Sequence, residues 1–301
     1  MQLYGAIEAG GTKFICAIGD SKGQIYDRIR IPTIEPQETM VKVVNFLKNI
    51  HQKTPLAAIG ISSFGPIDLN STSPTYGYIT TAPKPSWGNF NIVGSIKDGF
   101  ELPIGFDTDV NGAAIGEARW GNGRGFDSVI YWTVGTGIGA GGVLAGKMMH
   151  GLIHPEAGHT FIPHDKECDP FKGVCPYHGD CLEGLATGPA LMKRWGVKSA
   201  MDLPQDHPAW DLEATYLGYA MANCIETVSP QKIIIGGGVM KKAGLLSKVQ
   251  QKTLKFLNGY IKHESILENI ENYIVSPGLE ENSGVCGAIA LAEQALIEST
   301  Q

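Results

Sequence analysis

Between residues 158 and 184 the chain reads GHTFIPHDKECDPFKGVCPYHGDCLEG, where Cys175, His178 and Cys181 fall at three-residue steps and His159 lies sixteen residues upstream. Two thiolates and two imidazoles suit a tetrahedral zinc ion, the soft sulfur ligands arguing against magnesium or calcium. Four protein ligands leave no position for water, so such an ion is expected to be structural, folding a loop that has no core of its own. Cys168 and His164 are spare candidates for one ligand position, or else solvent-facing loop residues. The other three of the six cysteines, Cys16, Cys224 and Cys286, stand alone in apolar surroundings and read as inert buried thiols. His150, His154 and His207 read as ordinary surface or core histidines.

The glycines carry a second kind of chemistry. YGAIEAGGTKFICAIG near the start and VIYWTVGTGIGAGGVLAG near the middle are both strand, glycine turn, strand, which reads as an internal duplication. A glycine turn can aim backbone N–H groups at anionic oxygens, because a Cβ would block a phosphate's approach or forbid positive φ. Two such turns could grip one nucleotide; the alternative is two ordinary hairpins, and their repetition favours the former. Gly137, Gly139 and Gly142 also spell GxGxxG, with Glu156 at about the distance of a ribose contact. That fingerprint requires a helix directly after the glycines, whereas VLAGKMMHG is a short apolar run broken by a turn, so a nicotinamide enzyme is not expected. The phosphate loop GxxxxGK[ST] is absent from the sequence.

The elements that must hold these groups alternate between strand and helix. Apolar runs at 3–8, 13–19 and 24–31 predict a three-strand meander, and Pro36 opens a helix with Met40, Val43, Val44 and Leu47 at helical spacing. LAAIGIS is a short buried strand, and residues 62–91, rich in Pro, Gly, Ser and Thr, form a long loop of the kind that is usually functional. A helix near 91–100 follows, then the strand PIGFDTD and the helix VNGAAIGEARW leaving its carboxyl end, where α/β sheets gather their ligands. A last helix, roughly 283–299 with Val285, Ile289 and Leu296 on one face, is expected to return to the first half.

At 301 residues the chain can form two domains that share a ligand, without relying on disulfides for a core. Hydrophobic residues at 43% and charged residues at 18% place it among ordinary globular proteins. The net charge of −6, from 24 basic and 30 acidic residues without a block of like charge, argues against nucleic acid or an anionic membrane as partner. The first apolar run, Leu3 to Ile7, is shorter than a secretory core and has no basic leader, so the expected location is the cytoplasm.

Five segments together carry a resemblance: EAGGTK at 8–13, DTDVNGAAIGE at 107–117, VGTGIGAG at 134–141, EAGH at 156–159 and CPYHGDCLEG at 175–184. In this order they resemble the ROK family of sugar kinases and repressors, and its bacterial fructokinases in particular. The resemblance implies an α/β, actin-like (ribonuclease H-like) two-lobed kinase fold with duplicated βββαβα units, binding ATP with Mg²⁺ and a hexose, commonly as a homodimer. It implies a first lobe of 1–112 joined by the C-terminal helix 285–301, and a second lobe of 113–284 with the zinc-binding loop 159–181. Asp109 matches the catalytic base; taken without the resemblance it reads as a helix N-cap. Gly10, Gly11, Thr12 and Lys13 match the first phosphate turn, Thr133, Thr136 and Gly137 the second, and Gly236, Gly237, Gly238 and Pro189 the adenosine side. Thr108, Glu156, His159 and Glu183 match positions around the sugar, and His159, Cys175, His178 and Cys181 the zinc ligands. Family members often carry Asp where this chain has Glu8, beside the magnesium, and glucokinase-like members carry Asn where it has Thr108. With the loop TTAPKPSWGNF, which is similar to that of fructokinases, this makes fructose the first choice of acceptor, ahead of mannose or glucose. A repressor of the same family carries a DNA-binding helix-turn-helix ahead of the fold, for which a core strand starting at Leu3 leaves no room. A silent sugar-binding protein would not need Asp109 and both phosphate turns.

Overall fold

The computed structural model describes residues 2–82 and 84–300; Met1, Pro83 of the loop TTAPKPSWGNF, and Gln301 at the end of the expected C-terminal helix lie outside the described residues. The chain divides into two compact units, one of Met1–Gly125, Gly141–Pro155 and Gly278–Gln301, the other of Phe126–Ala140 and Glu156–Pro277. The boundary expected near residue 112 thus falls within a helix, and the first unit continues to Gly125.

In the first unit, strands β1 (Leu3–Ala9), β2 (Lys13–Gly19) and β3 (Ile25–Pro32) form the expected meander, followed by helix α1 (Pro36–His51) and strand β4 (Leu56–Ser63). The short strands β5 (Tyr78–Ile79) and β6 (Phe90–Asn91) pair with each other, and helix α2 (Ile92–Lys97), strand β7 (Ile104–Thr108) and helix α3 (Asp109–Trp120) complete the run. The sheet order is β3-β2-β1-β4-β7, antiparallel through the meander and parallel from β1 to β4 and β7. β1 and β4 are buried along almost their whole length, which explains their near-continuous apolar sequence. β3, by contrast, exposes Asp27, Arg28 and Arg30, charges that suit an open sheet edge. α1 starts at Pro36, whose fixed φ suits a first helical turn, and buries Met40, Val43 and Leu47.

The second five-stranded sheet repeats the plan, although by the division above residues 141–144 of its β9 and all of its β10 are counted with the first unit. Strands β8 (Val129–Val134), β9 (Ile138–Leu144) and the two-residue β10 (Lys147–Met148) stand for the meander. Helices α4 (Leu182–Ala186), α5 (Gly188–Trp195) and α6 (Ala209–Val228) lead to strand β11 (Lys232–Gly236); then come α7 (Leu245–Leu257), α8 (Glu264–Leu267), α9 (Ile270–Tyr273) and strand β12 (Ile274–Val275). The order β10-β9-β8-β11-β12, with β8, β11 and β12 parallel, matches the first sheet strand for strand. The duplication read from the two glycine turns is therefore a duplication of whole sheets. β9 itself contains Gly139 and Gly142 of the GxGxxG spelling and turns directly into β10, so the helix a dinucleotide fingerprint needs is not there.

Helix α10 (Ser283–Ser299) belongs to the first unit and packs on β1, β4, β7 and α3. The α3 contact is backbone against backbone: a Cβ on Gly287 would run into the Gly112 carbonyl, so only glycine lets the two helices approach this closely. Val285, Ala288, Ile289 and Ala292 fill the core on this side of the sheet with Ala6 and Ala17. Among the described residues no helix is long and apolar enough to cross a membrane.

Candidate active site and metal centre

β7 delivers its carboxyl end to α3, and the junction is Thr108–Asp109. Thr108, with extended backbone, is the N-cap: its Oγ1 accepts from the Asn111 amide at 3.1 Å. Asp109 is the first helical residue, so it is not the cap that its position suggested, and its Oδ1 accepts from the Val110 amide at 2.9 Å. Burial pushes the Asp109 carboxyl up from 3.8 to about 6. Glu8, on β1, is pushed up to about 7, first by burial and then by the charge of Asp109, with Lys13 opposing. Its Oε2 is buried with no hydrogen-bond partner, an orphaned acceptor that a hydrated cation would satisfy. The first glycine turn, also in this unit, is closed by the Gly10 amide donating to Lys13 O at 3.0 Å. Thr33, the residue after β3, pins it, its amide donating to Thr12 O and its hydroxyl to Gly10 O at 2.7 Å. Gly11 and Thr12 are left exposed at its tip.

In the second unit the turn between β8 and β9 is closed by the Gly135 amide donating to Gly137 O at 2.9 Å. The Gly188 amide donates to Gly135 O at 2.8 Å, which brings Pro189 and the start of α5 against this turn. Gly236, Gly237 and Gly238 arrive from the end of β11, and Gly237 holds φ +97° where a Cβ would collide with the backbone of Val134. Thr133, Thr136, Gly137, Pro189 and the three glycines are thereby gathered at the carboxyl ends of β8 and β11. Glu183, on α4, joins them: its Oε2 accepts from the Ile138 amide at 3.0 Å. Glu156 is exposed at the start of the short turn Ala157–His159.

The four soft donors converge. Cys175 Sγ lies 3.6 Å from His159 Nδ1 and 3.7 Å from His178 Nδ1, Cys181 Sγ lies 3.6 Å from His159 Nδ1, and all four donor atoms fall within 4.8 Å of one another. A tetrahedron with bonds of about 2.1 Å to nitrogen and about 2.3 Å to sulfur has edges of roughly 3.6 Å, so the residues fit a tetrahedral ion. The other nitrogen of His159, Nε2, faces Glu183 Oε1 at 3.8 Å, the carboxylate-behind-imidazole arrangement that orients a metal-binding histidine. Without an ion, burial pushes the Cys181 thiol up to about 11, so a cation is what would make thiolate its resting form. The two spare candidates stand apart. Cys168 is exposed, and His164 has both nitrogens engaged, Nδ1 with Asp180 at 3.0 Å and Nε2 with the Asp169 carbonyl at 2.9 Å.

Two sets of functional neighbours were not foreseen. Asp169, buried in the cysteine-rich loop, accepts from the Tyr216 hydroxyl at 2.5 Å and pairs with Arg194 at 3.1 Å, which ties the loop to α5 and α6. Asp107, buried two residues before Asp109, pairs with His150 at 2.8 Å. No local pattern marks either set, because the partners lie 25 or more residues apart and are of common types.

Two sheets of the same 3-2-1-4-5 order, glycine turns at their strand ends and a carboxylate on a strand-to-helix junction define the actin-like class of α/β proteins. Within it the chain belongs to the ROK family, which matches residues 4–295. A fructokinase of Pediococcus pentosaceus is 45% identical over 294 residues, 98% of this chain and 99% of that protein. A fructokinase of Streptococcus mutans is 43% identical over 298 residues, covering 97% and 98% of the two chains. The crystal structure of a ROK family glucokinase from Streptomyces griseus, in complex with glucose and AMPPNP, superposes with a TM-score of 0.76 at 23% identity, over 97% of this chain and 99% of that one, and shows the same fold.

Proposed function

We propose that this protein is a fructokinase, transferring the γ-phosphoryl group of MgATP to D-fructose to give D-fructose 6-phosphate and ADP. The observation that carries this reading is likeness at 43–45% identity to fructokinases over nearly the whole chain, against 24–30% for the glucokinases it is also similar to. Phosphoryl transfer asks for an aligned hydroxyl, a carboxylate for its proton and donors for the phosphate oxygens, with little covalent work by the protein. Asp109 accepts the proton; with its carboxyl near 6 it is ionised at neutral pH yet more basic than an exposed aspartate. Backbone amides and hydroxyls of Gly10, Gly11, Thr12 and Lys13, and of Thr133, Thr136 and Gly137, hold the ATP phosphates. Pro189 and Gly236, Gly237 and Gly238 take the adenosine. Thr108, Glu156, His159 and Glu183 exchange hydrogen bonds with the sugar hydroxyls. Mg²⁺, when bound, neutralises charge on the phosphate oxygens, and the orphaned Glu8 oxygen is the acceptor offered to its water shell.

Zn²⁺ held by His159, Cys175, His178 and Cys181 is proposed as structural: four ligands complete its shell, and it shares His159 with Glu183 and so fixes two sugar-side residues. The enzyme is proposed to work in the cytoplasm as a homodimer, which light scattering of the purified protein would check. The deciding assay couples ADP release to NADH oxidation with MgATP and a panel of fructose, mannose, glucose and N-acetylmannosamine. Turnover is expected to be fastest with fructose, and turnover with none of them would leave a sugar sensor as the better reading.

A further inference from the structure

Asp107 is fully buried, and each of its oxygens is occupied. Oδ1 accepts from the Thr108 amide at 2.7 Å and from Asn111 Nδ2 at 2.8 Å, and Oδ2 faces His150 Nε2 at 2.8 Å. Asn111, also fully buried, turns its own Oδ1 to the Gly142 amide at 2.9 Å and reaches the Met149 carbonyl with Nδ2 at 3.3 Å. The residues on either side of the catalytic aspartate, Thr108 and Asn111, are thus bound to one buried carboxylate. His150 forms an ion pair with that carboxylate. Four residues further on, His154 is 4% exposed and its Nε2 accepts from the Ile67 amide at 3.0 Å, in the loop that leaves β4 beside β7. The segment 149–155 therefore straps together the carboxyl ends of two adjacent strands.

We infer that His150 is a positioning residue of the kinase reaction: through Asp107 it fixes the β7–α3 junction, and with it the Asp109 carboxylate, while His154 anchors the same strap to the loop after β4. The inference rests on the kinase reading given above. The ring of His150 is 43% exposed, so it exchanges protons with solvent while its other side holds Asp107. The hydrogen bond to Asp107, together with that carboxylate's charge, raises the His150 ring above its usual 6.5 against the opposing effect of burial; burial holds His154 below it, as does the charge of His150. Tyr76 and His154 also feel this carboxylate: burial and then the Asp107 charge push the Tyr76 hydroxyl upward, and the same charge partly offsets the burial of His154. A raised histidine gives its full pairing below its unfolded value and loses the charge assistance as pH rises through the folded one, although the neutral ring can still donate Nε2–H.

Glutamine places a donor near the position of Nε2 and does not titrate, so it separates the hydrogen bond from the charge. With fructose and MgATP, His150→Ala is expected to lower kcat about 10- to 100-fold while the KM for MgATP stays within about twofold, the signature of a displaced base. His150→Gln is expected to recover most of that turnover at pH 6.5 and to lack the shallow, few-fold alkaline decline of the wild type. In an Asp107→Asn background His150→Ala is expected to cost little more, because the pair acts as a unit. Wild-type kcat in His150→Ala, additive losses in the double variant, or failure of His150→Gln to recover turnover would overturn the inference. Should His150→Ala not fold, the pH profile of His150→Gln decides: an unchanged alkaline limb counts against it. Wild-type protein inactive on every sugar would instead refute the kinase reading.

Discussion

Asp109→Asn separates what the site needs from what the fold needs. The carboxyl titrates at 3.8 in an unstructured chain and at about 6 in the folded one, and the first cause of that rise is burial. A shift of about two units corresponds to roughly 3 kcal/mol by which ionising Asp109 disfavours the folded state at pH 7.5. The sign follows from protons: the folded state binds the proton more tightly, so the cost is absent below pH 3.8, grows between 3.8 and 6, and is complete above 6. Asparagine is nearly isosteric, keeps an Oδ1 for the Val110 amide and carries no charge. The variant is therefore expected to be more stable than wild type at pH 7.5, by up to about 3 kcal/mol, by roughly half that at pH 5 and by nothing near pH 3.5. The same substitution removes the base, for which a loss of about 10²- to 10⁴-fold in kcat is expected. Urea unfolding followed by tryptophan fluorescence at the three pH values, with the ADP-coupled assay, measures both. A variant no more stable than wild type at pH 7.5, or one whose gain is the same at pH 3.5, would refute the claim that Asp109 is held against its own hydration.

Three further outcomes are expected. The wild-type kcat/KM for fructose should fall about tenfold per pH unit below pH 6, because only ionised Asp109 accepts a proton; a profile flat down to pH 5 would exclude it as the base. Cys175→Ser should abolish zinc in the purified protein, measured by elemental analysis, and raise the KM for fructose, since His159 and Glu183 lose their common anchor; full metal content with normal kinetics would contradict this. Gly237→Ala should raise the KM for MgATP and lower the melting temperature, by an amount corresponding to about 1–3 kcal/mol, because the backbone there holds positive φ and has no space for a methyl group beside Val134.

What the sequence revealed depended on range. The meander, β4, β7 and the last helix were visible because each is a continuous apolar or periodic run: the helix placed at 283–299 is Ser283–Ser299. The quartet of soft donors was visible because three of its members, Cys175, His178 and Cys181, lie within seven residues. The loop 62–91 was recognisable only as a loop. Its paired strands β5 and β6 have two residues each, too short for any periodicity, and Trp87 is fully buried against Phe14, Phe64 and Phe90, a cluster that no local pattern announces. Long-range polar contacts stayed hidden for the same reason. Asp107 with His150, and Asp169 with Arg194 and Tyr216, are ordinary residues until folding brings them together, and His150 in particular had read as a bystander. The N-cap was misplaced by one residue because Thr and Asp are both favoured there, and only the backbone angles distinguish them.

The backbone contact between α3 and α10 also sets an order of assembly during synthesis. Residues 1–125 emerge from the ribosome long before Gly287, so the helix that begins with Asp109 can meet β4 and β7 early but lacks its α10 partner until the segment from Gly278 onward has been made. At roughly 5–20 residues per second, some ten to thirty seconds separate the two halves of this joint. The second unit, whose last residue is Pro277, is complete before the first can close. A nascent chain therefore carries the helix of Asp109 without its α10 neighbour until Ser283–Ser299 has been made.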